Sequence, residues 1–261
     1  MRNVKPRVFL VAETNLLRAG MDSYLRHIGA PDWDTDAKSD SETLIEFMGR
    51  ACYKSFKPGL NPNVTKVREG NDKYLAHIVD VGHGSVCEHA SVSFMFTDVS
   101  RVFTHELVRH RAGTAMSQES LRFVRLDDLG FWAPTCIREN AEALEIMSNT
   151  FATLEGLQIR LAELFDLDNP DVPFSTKKMI TSAMRRIAPI GLATAIGWTA
   201  NLRTLRHVLE MRTHPAAEEE IRIVFGEVGT ICQHRYPALF ADYEVTEENG
   251  HPWFQTTNRK I

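Results

Sequence analysis

The chain has 261 residues, 43% hydrophobic and 25% charged, so it has a globular composition and can bury a sizeable core. Its net charge of −4 leaves no global excess of positive charge with which to hold a nucleic-acid polymer. The four cysteines are widely spaced without a CxxC pair, which predicts a reducing, cytoplasmic compartment. The apolar run near the start is too short for a signal peptide, and no apolar run reaches 18 residues, so we expect neither a signal peptide nor a membrane-spanning helix.

The first half of the chain predicts two helices, a strand and a third helix. The helices are expected over residues 42–53 and 72–81. Apolar side chains then alternate with small or flexible ones, which predicts a half-buried strand with inward-facing Val92, Phe94 and Phe96. From Ser100, a suitable N-cap, the pattern becomes helical as far as residue 110. An arginine-rich segment therefore begins at the C-terminal end of a helix.

The second half predicts mostly helix. Apolar residues spaced three or four apart indicate one long amphipathic helix with a core role for Leu144, Met147, Phe151, Leu154, Leu157, Leu161 and Leu164. A shorter helix over 175–186 ends near Pro189, and 192–198 has strand character. Asn201 is expected to cap a helix to about residue 213. A last helix, ending before Pro237, places on one face Ile221, Val224, Phe225, Val228 and Cys232.

These elements predict an α+β fold in which mixed helices pack on an antiparallel sheet, with helix predominating. Proline-containing loops are expected at 57–63 and 166–173. Because no repeat or low-complexity tract interrupts the chain, we predict a single domain over residues 1–261.

Positive charge is concentrated between residues 109 and 125, in the segment RHRAGTAMSQESLRFVR. Four arginines, a histidine and three hydroxyl residues lie within these 17 positions of an acidic protein. The planar guanidinium suits bidentate recognition of phosphate, and Gly113 lets the backbone approach a ligand. The segment therefore predicts a site for a phosphorylated ligand. The alternative is a solvated basic helix end that complements the helix dipole.

A second basic cluster lies far along the chain and comprises Arg185, Arg186, Arg203, Arg206 and Arg212. Two clusters so far apart in sequence favour one convergent pocket. Helical spacing puts Asn201 and Arg212 on nearly one face, whereas Arg203 and His207 share another. Such a helix can serve two ligands or two active sites across a subunit interface. Surface charge pairs with Glu210 are the alternative.

The segment HGSVCEH, residues 83–89, permits a metal-site interpretation that recruits His105 and His110. Its histidine spacing matches no zinc-enzyme motif, so we predict no metal and interpret it as a packed turn before the strand. Ser85, Glu88 and His89 offer hydrogen-bonding groups suited to holding a cofactor. No P-loop, GxGxxG or GxSxG motif occurs, so a nucleotide would not be bound by a Rossmann turn.

These segments resemble the flavin-dependent thymidylate synthases, whose signature is RHR followed by a serine-rich stretch ending in SxR. Here the signature is Arg109-His110-Arg111 followed by the segment SQESLR at 117–122. Further similarity lies in GHGSVCEHASVSFMF, RRIAP and NLRTLRHVLEMR, in the family's order, over roughly residues 80 to 240.

The resemblance implies contacts for each ligand. FAD contacts are implied at Ser85, Arg109, His110, Arg111, Gln118, Asn201, Leu202, Arg203 and His207. Contacts to dUMP are implied at Glu106, Leu107, Val108, Arg109, Gln118, Glu119, Ser120, Leu121, Arg122, Arg185 and Arg212. The counterpart of Arg212 favours ionisation of a uracil ring nitrogen, because a nearby guanidinium lowers the pKa of a forming anion by about 1–3 units. Ser120 is expected to bind substrate rather than to act as nucleophile.

The chain departs from the family pattern at a few positions. Eight residues rather than seven separate Arg111 from Ser120, and we place the extra residue between Thr114 and Ser117. Glu106 stands where the family often has glutamine, His207 where asparagine can stand, and Phe123 where tyrosine is usual.

The implied activity is reductive methylation of dUMP to dTMP without a cysteine nucleophile. Methylenetetrahydrofolate would donate the carbon, and FADH2 regenerated by NADPH the hydride. The resemblance also implies a homotetramer with active sites shared between subunits. Two alternatives remain: a non-catalytic nucleotide-binding protein with the same fold, and a flavin-dependent uridylate hydroxymethylase.

Overall fold

The structure, a computed structural model, describes residues 2–259 and 261. Its helices are α1 Arg18–His27, α2 Asp40–Tyr53, α3 Asn71–Asp80, α4 Arg101–Leu107, α5 Thr135–Arg138, α6 Ala141–Leu164, α7 Phe174–Met184, α8 Leu202–Thr213 and α9 Glu219–Arg235. Its strands are β1 Arg2–Asn3, β2 Arg7–Glu13, β3 Ser91–Ser100, β4 Thr114–Gln118, β5 Gly130–Phe131, β6 Ala193–Asn201, β7 Glu244–Glu248 and β8 His251–Gln255. Two 3-10 turns cover Gly84–His89 and Arg185–Ile187.

The chain forms two compact units from interleaved segments. The first unit comprises residues 2–9, Met95–His110 and Met116–Trp198. The second unit comprises Leu10–Phe94, Arg111–Ala115 and Thr199–Ile261. Because the chain passes repeatedly from one unit to the other, the single domain over 1–261 stays a prediction.

The main sheet has the strand order β2-β3-β6-β4, and each of these strands contributes residues to both units. The predicted alternation in β3 is confirmed, since Val92, Phe94 and Phe96 are buried whereas Met95 is exposed. The α+β prediction with helix predominating is also confirmed. The hairpin β7–β8 is antiparallel, and the short pair β1–β5 is an unpredicted parallel addition.

Side-chain caps fix the helix boundaries that the sequence predicts. Ser100 accepts a hydrogen bond from the amide of Phe103 and begins α4. Asn201 accepts one from the amide of Thr204 at 2.8 Å and begins α8. Each cap satisfies an amide that has no partner within its helix, which stabilises the helix by about 1 kcal/mol.

The core of the second unit includes the contact of α8 with α9. The predicted inward face of α9 is confirmed, because each of its five apolar side chains is at most 1% exposed. They face similarly buried residues of α8, namely Leu202, Leu205, Val208 and Leu209. This packing holds the beginning of α8 in a fixed position.

The long helix α6 forms as predicted, but the core role assigned to its apolar stripe is wrong at two positions. Phe151 is buried in a first-unit cluster with Phe131 and Leu192. Leu157 and Leu164 are 47% and 62% exposed. Helical periodicity identifies an apolar face, but it does not determine what covers that face.

Candidate functional site

An arginine-lined pocket lies in the first unit. Arg101 and His105, one turn apart on α4, line it with Arg185, Arg186 and Leu121 of the same unit. Its volume is about 230 Å³. We refer to it as the arginine pocket.

The guanidinium groups of the arginine pocket lack a direct counter-ion. Within residues 2–259 and 261, the side chains of Arg101, Arg185 and Arg186 make no ion pair and no hydrogen bond. Burial lowers the pKa of Arg101, the positive charge of Arg185 lowers it further, and Glu119 opposes both effects. A concave surface with three unpaired guanidiniums is suited to an anion with several acceptor oxygens.

The segment from Gln118 to Arg122 is held from two sides. The Gln118 amide donates to the hydroxyl of Thr104 on α4 at 2.8 Å. The backbone amide of Glu119 donates to the carbonyl of Ala195 on β6 at 2.9 Å. Beyond these contacts the chain turns, and the hydroxyl of Ser120 accepts a hydrogen bond from the amide of Arg122 at 3.4 Å. The hydroxyl proton of Ser120 remains able to donate to a ligand oxygen.

The structure divides the substrate residues implied by the resemblance. Those from Glu106 to Arg109, those from Gln118 to Arg122, and Arg185 lie in the first unit, whereas Arg212 lies in the second. Leu107 is fully buried, so only its backbone can meet a ligand. Arg109 is exposed just beyond the end of α4, as expected.

Residues of the RHR segment meet the beginning of α8 in the second unit. The carbonyl of Gly113 accepts a hydrogen bond from the amide of Asn201 at 3.0 Å. The hydroxyl of Thr204 donates to the carbonyl of Ala112 at 2.9 Å. Gly113 has φ +67°, a conformation that favours glycine, and a Cβ there would lie 2.5 Å from the Thr204 hydroxyl. These contacts bring Arg111 close to the first turn of α8.

The 3-10 turn at Gly84–His89 joins this group. Arg203 on α8 donates to the carboxylate of Glu88 at 2.6 Å, and the amide of Leu202 donates to the carbonyl of Ala90. Ser85 is exposed on this turn. The interpretation of HGSVCEH as a packed turn is therefore confirmed. Most of the proposed FAD residues in this unit come together, namely Ser85, Arg111, Asn201, Leu202 and Arg203, with His207 exposed one turn further along α8.

One member of the second basic cluster was assigned wrongly. Arg206 is fully buried, and its guanidinium makes two hydrogen bonds of 2.8 Å to Asp242. It also lies over the ring of Tyr243 at 4.8 Å. Arg206 therefore stabilises the second unit and is not available to a ligand. Glu210, which the alternative of surface charge pairs would place beside arginines of its own helix, forms an ion pair with Arg259 at 2.7 Å.

The cysteines differ in exposure. Cys87 is fully buried beside the exposed Ser85, and burial raises the pKa of its thiol to about 11. Cys232 is buried in α9, with its pKa also raised by burial, whereas Cys52 and Cys136 are exposed. A buried thiol with a raised pKa is a poor nucleophile at neutral pH.

Sequence reasoning missed Arg101, and it considered His105 only as a metal ligand. Their four-residue spacing on one face of α4 is the signal that was available. Among the residues that the structure describes, no group of three or more histidine, cysteine or acidic side chains is arranged to hold a metal ion.

Comparison with known proteins gives consistent matches. A family model described as "Thymidylate synthase complementing protein" matches residues 35–238. A flavin-dependent thymidylate synthase of Mycobacterium tuberculosis is 39% identical over 243 residues, which cover 90% of this chain and 93% of that protein.

Solved structures also resemble the chain. Thymidylate synthase X from Helicobacter pylori, crystallised with FAD and dUMP, has a TM-score of 0.56 at 18% identity, covering 90% of this chain and 99% of that one. The UMP/dUMP methylase PolB from Streptomyces cacaoi, bound with 5-Br dUMP, has a TM-score of 0.62 at 15% identity, covering 91% and 93%. At these identities the likeness concerns the fold.

Proposed function

The chain belongs to the family of flavin-dependent thymidylate synthases, and we propose that it converts dUMP to dTMP with methylenetetrahydrofolate as carbon donor. The hydride would come from reduced FAD, which NADPH regenerates. Enzymes of this family are methyltransferases that use a flavin. The observation that carries the proposal is the arginine pocket next to the Gln118–Arg122 segment.

The arginine pocket suits the 5′-phosphate of dUMP. A phosphate monoester carries nearly two negative charges at neutral pH and accepts hydrogen bonds only. Three guanidiniums that make no ion pair within residues 2–259 and 261 therefore complement it in charge and geometry. The resemblance assigns both Arg185 and Ser120 to dUMP. In this proposal the guanidinium of Arg185 and the hydroxyl of Ser120 would donate hydrogen bonds to its phosphate.

The second unit has donors that fit FAD. The exposed side chains Ser85, Arg111 and His207 offer a hydroxyl, a guanidinium and an imidazole around the beginning of α8. This donor set suits the pyrophosphate and ribose of a dinucleotide. Asn201 holds the first turn of α8, and Glu88 holds Arg203 in place. When bound, FAD supplies the hydride.

Arg212 would act on the uracil ring. It is half-buried in the last turn of α8. A permanently charged guanidinium stabilises the ring anion more than the neutral ring, which activates the carbon that accepts the one-carbon unit. No cysteine nucleophile is needed, in keeping with the burial of Cys87 and Cys232.

We further propose a cytoplasmic homotetramer with active sites shared between subunits, and no nucleic-acid polymer or membrane as partner. The exposed apolar side chains Ile146, Leu157 and Leu164 of α6 support self-association, because water-exposed apolar patches favour protein contacts. In the described part of the chain, no helix has the length and apolar character needed to span a bilayer. Light scattering coupled to size exclusion should give about four chains, and a fully active monomer would contradict this assembly.

Flavin content tests the proposal against a non-catalytic nucleotide-binding protein. The purified chain should be yellow with bound FAD and should bleach when NADPH is added without oxygen. A colourless protein that binds dUMP but takes up no FAD would instead identify a binding protein.

A further inference from the structure

The carboxylate of Glu119 is already engaged by β6. One of its oxygens accepts hydrogen bonds from the amide of Ala195 at 3.2 Å and from the hydroxyl of Thr194 at 3.3 Å. The backbone amide of Glu119 donates in return to the Ala195 carbonyl at 2.9 Å. The residue is thus fastened to the strand through both its side chain and its backbone.

A carboxylate in this position is a poor ligand for a nucleotide phosphate. Both groups are acceptors and both are negative, so direct contact between them is repulsive. Glu119 nevertheless immediately precedes Ser120, which is expected to bind the substrate. The hydrogen bonds between Glu119 and Ala195 therefore fix the position from which the chain turns at Ser120.

Glu119 also acts on the charge of the arginine pocket. Leu121, two residues after Glu119, lines the arginine pocket, which places Glu119 close to it. Arg101 and Arg185 repel each other, and the negative charge of Glu119 opposes this effect at Arg101. It does so without an ion pair, because no such contact to Arg101 or Arg185 occurs in residues 2–259 and 261. The guanidiniums thus keep their hydrogen-bond donors available to an incoming anion.

We propose that Glu119 is a positioning residue: it fastens the Gln118–Arg122 segment to β6 and offsets the repulsion in the arginine pocket. This inference rests on the proposed function, because it takes a nucleotide phosphate as the occupant of the pocket. The two roles have opposite effects on affinity. Fastening the segment favours binding of dUMP, whereas the negative charge opposes it.

Two substitutions separate these roles. Glu119→Gln keeps an acceptor oxygen for Thr194 and Ala195 but removes the charge, so the KM for dUMP should fall about three- to tenfold at low salt. Glu119→Ala removes the fastening as well, so KM should rise about tenfold. In both variants kcat should change less than KM. The advantage of Glu119→Gln should shrink in 0.5 M salt, because charge interactions are screened.

The exposed Glu145 on α6 provides the matched control, since Glu145→Gln makes the same change of charge outside the pocket and should leave KM unchanged. If Glu119→Gln raised KM as Glu119→Ala does, or if neither changed it, the proposal would be wrong. An inactive wild-type enzyme would count against the proposed function instead. In that case the affinity for inorganic phosphate, measured by calorimetry, still decides the role of Glu119, with tighter binding by Glu119→Gln as the expected result and unchanged or weaker binding as the contrary one.

Discussion

Replacing Gly113 with alanine should disrupt the junction between the RHR segment and α8. At φ +67° an alanine is strained by about 1–2 kcal/mol. Its Cβ would lie 2.5 Å from the Thr204 hydroxyl and would also meet the Asn201 amide, so both must shift. Overpacking of this kind costs about 1–3 kcal/mol. The total is about 2–5 kcal/mol, which corresponds to a fall in Tm of about 5–15 °C for a protein of this size.

The matched control is Gly59→Ala, because Gly59 has φ +79° and a Cβ there would meet nothing within 4 Å. It carries the backbone strain without the close approach, so about 1–2 kcal/mol is expected. Calorimetric melting and FAD titration of both variants provide the comparison. Gly113→Ala should lose more stability and bind FAD at least about tenfold more weakly, since 1.4 kcal/mol is a factor of ten. Equal losses of Tm with unchanged FAD affinity would refute this account of the junction.

Three further predictions concern single side chains. Arg212→Ala should lower kcat about 10- to 1000-fold and weaken dUMP binding less, with Arg212→Lys restoring part of the rate; a wild-type rate in single-turnover measurements would remove its catalytic role. Cys87→Ala should retain turnover, because burial raises the thiol pKa to about 11, and complete loss in a folded, FAD-bound variant would contradict the mechanism. Burial would raise the pKa of Asp242, but the hydrogen bonds and charge of Arg206 outweigh burial and lower it. The resulting stabilisation is therefore full above the carboxyl's ordinary pKa of about 4 and is lost as pH falls through the lowered value. Asp242→Asn should cost about 3–5 kcal/mol at pH 7, as denaturant unfolding would measure, and progressively less towards pH 2; a pH-independent cost would refute the assignment.

Much of the secondary structure could be predicted, because local signals determine it. Ser100 and Asn201 each cap a helix through a hydrogen bond accepted from an amide three residues later, so their role depends only on nearby residues. The alternation in β3 requires only that one face of the strand is buried. The β7–β8 hairpin is also encoded locally, by the two residues of its turn. Asn249 and Gly250 both have positive φ in a two-residue turn, a pairing typical of hairpins.

Other features depend on tertiary partners that the sequence pattern does not identify. In the sequence, Arg206 cannot be distinguished from the other arginines of its cluster. In the structure it is buried, because it pairs with Asp242, which lies 36 positions further along the chain. The exposure of Leu157 and Leu164 follows from what packs against α6, which periodicity cannot give. The arginine pocket needs both α4 and the Arg185–Ile187 turn, so only the fold brings Arg101 to Arg185.

The most direct test of the central claim is tritium release from dUMP labelled at carbon 5, with FAD, NADPH and methylenetetrahydrofolate present. Tritium release should require bound FAD together with both NADPH and methylenetetrahydrofolate, and the mass of the product should show one added methyl group. Release with a hydroxymethylated product would identify a uridylate hydroxymethylase instead. No release from an enzyme that is loaded with FAD and reduced by NADPH would contradict the proposed function.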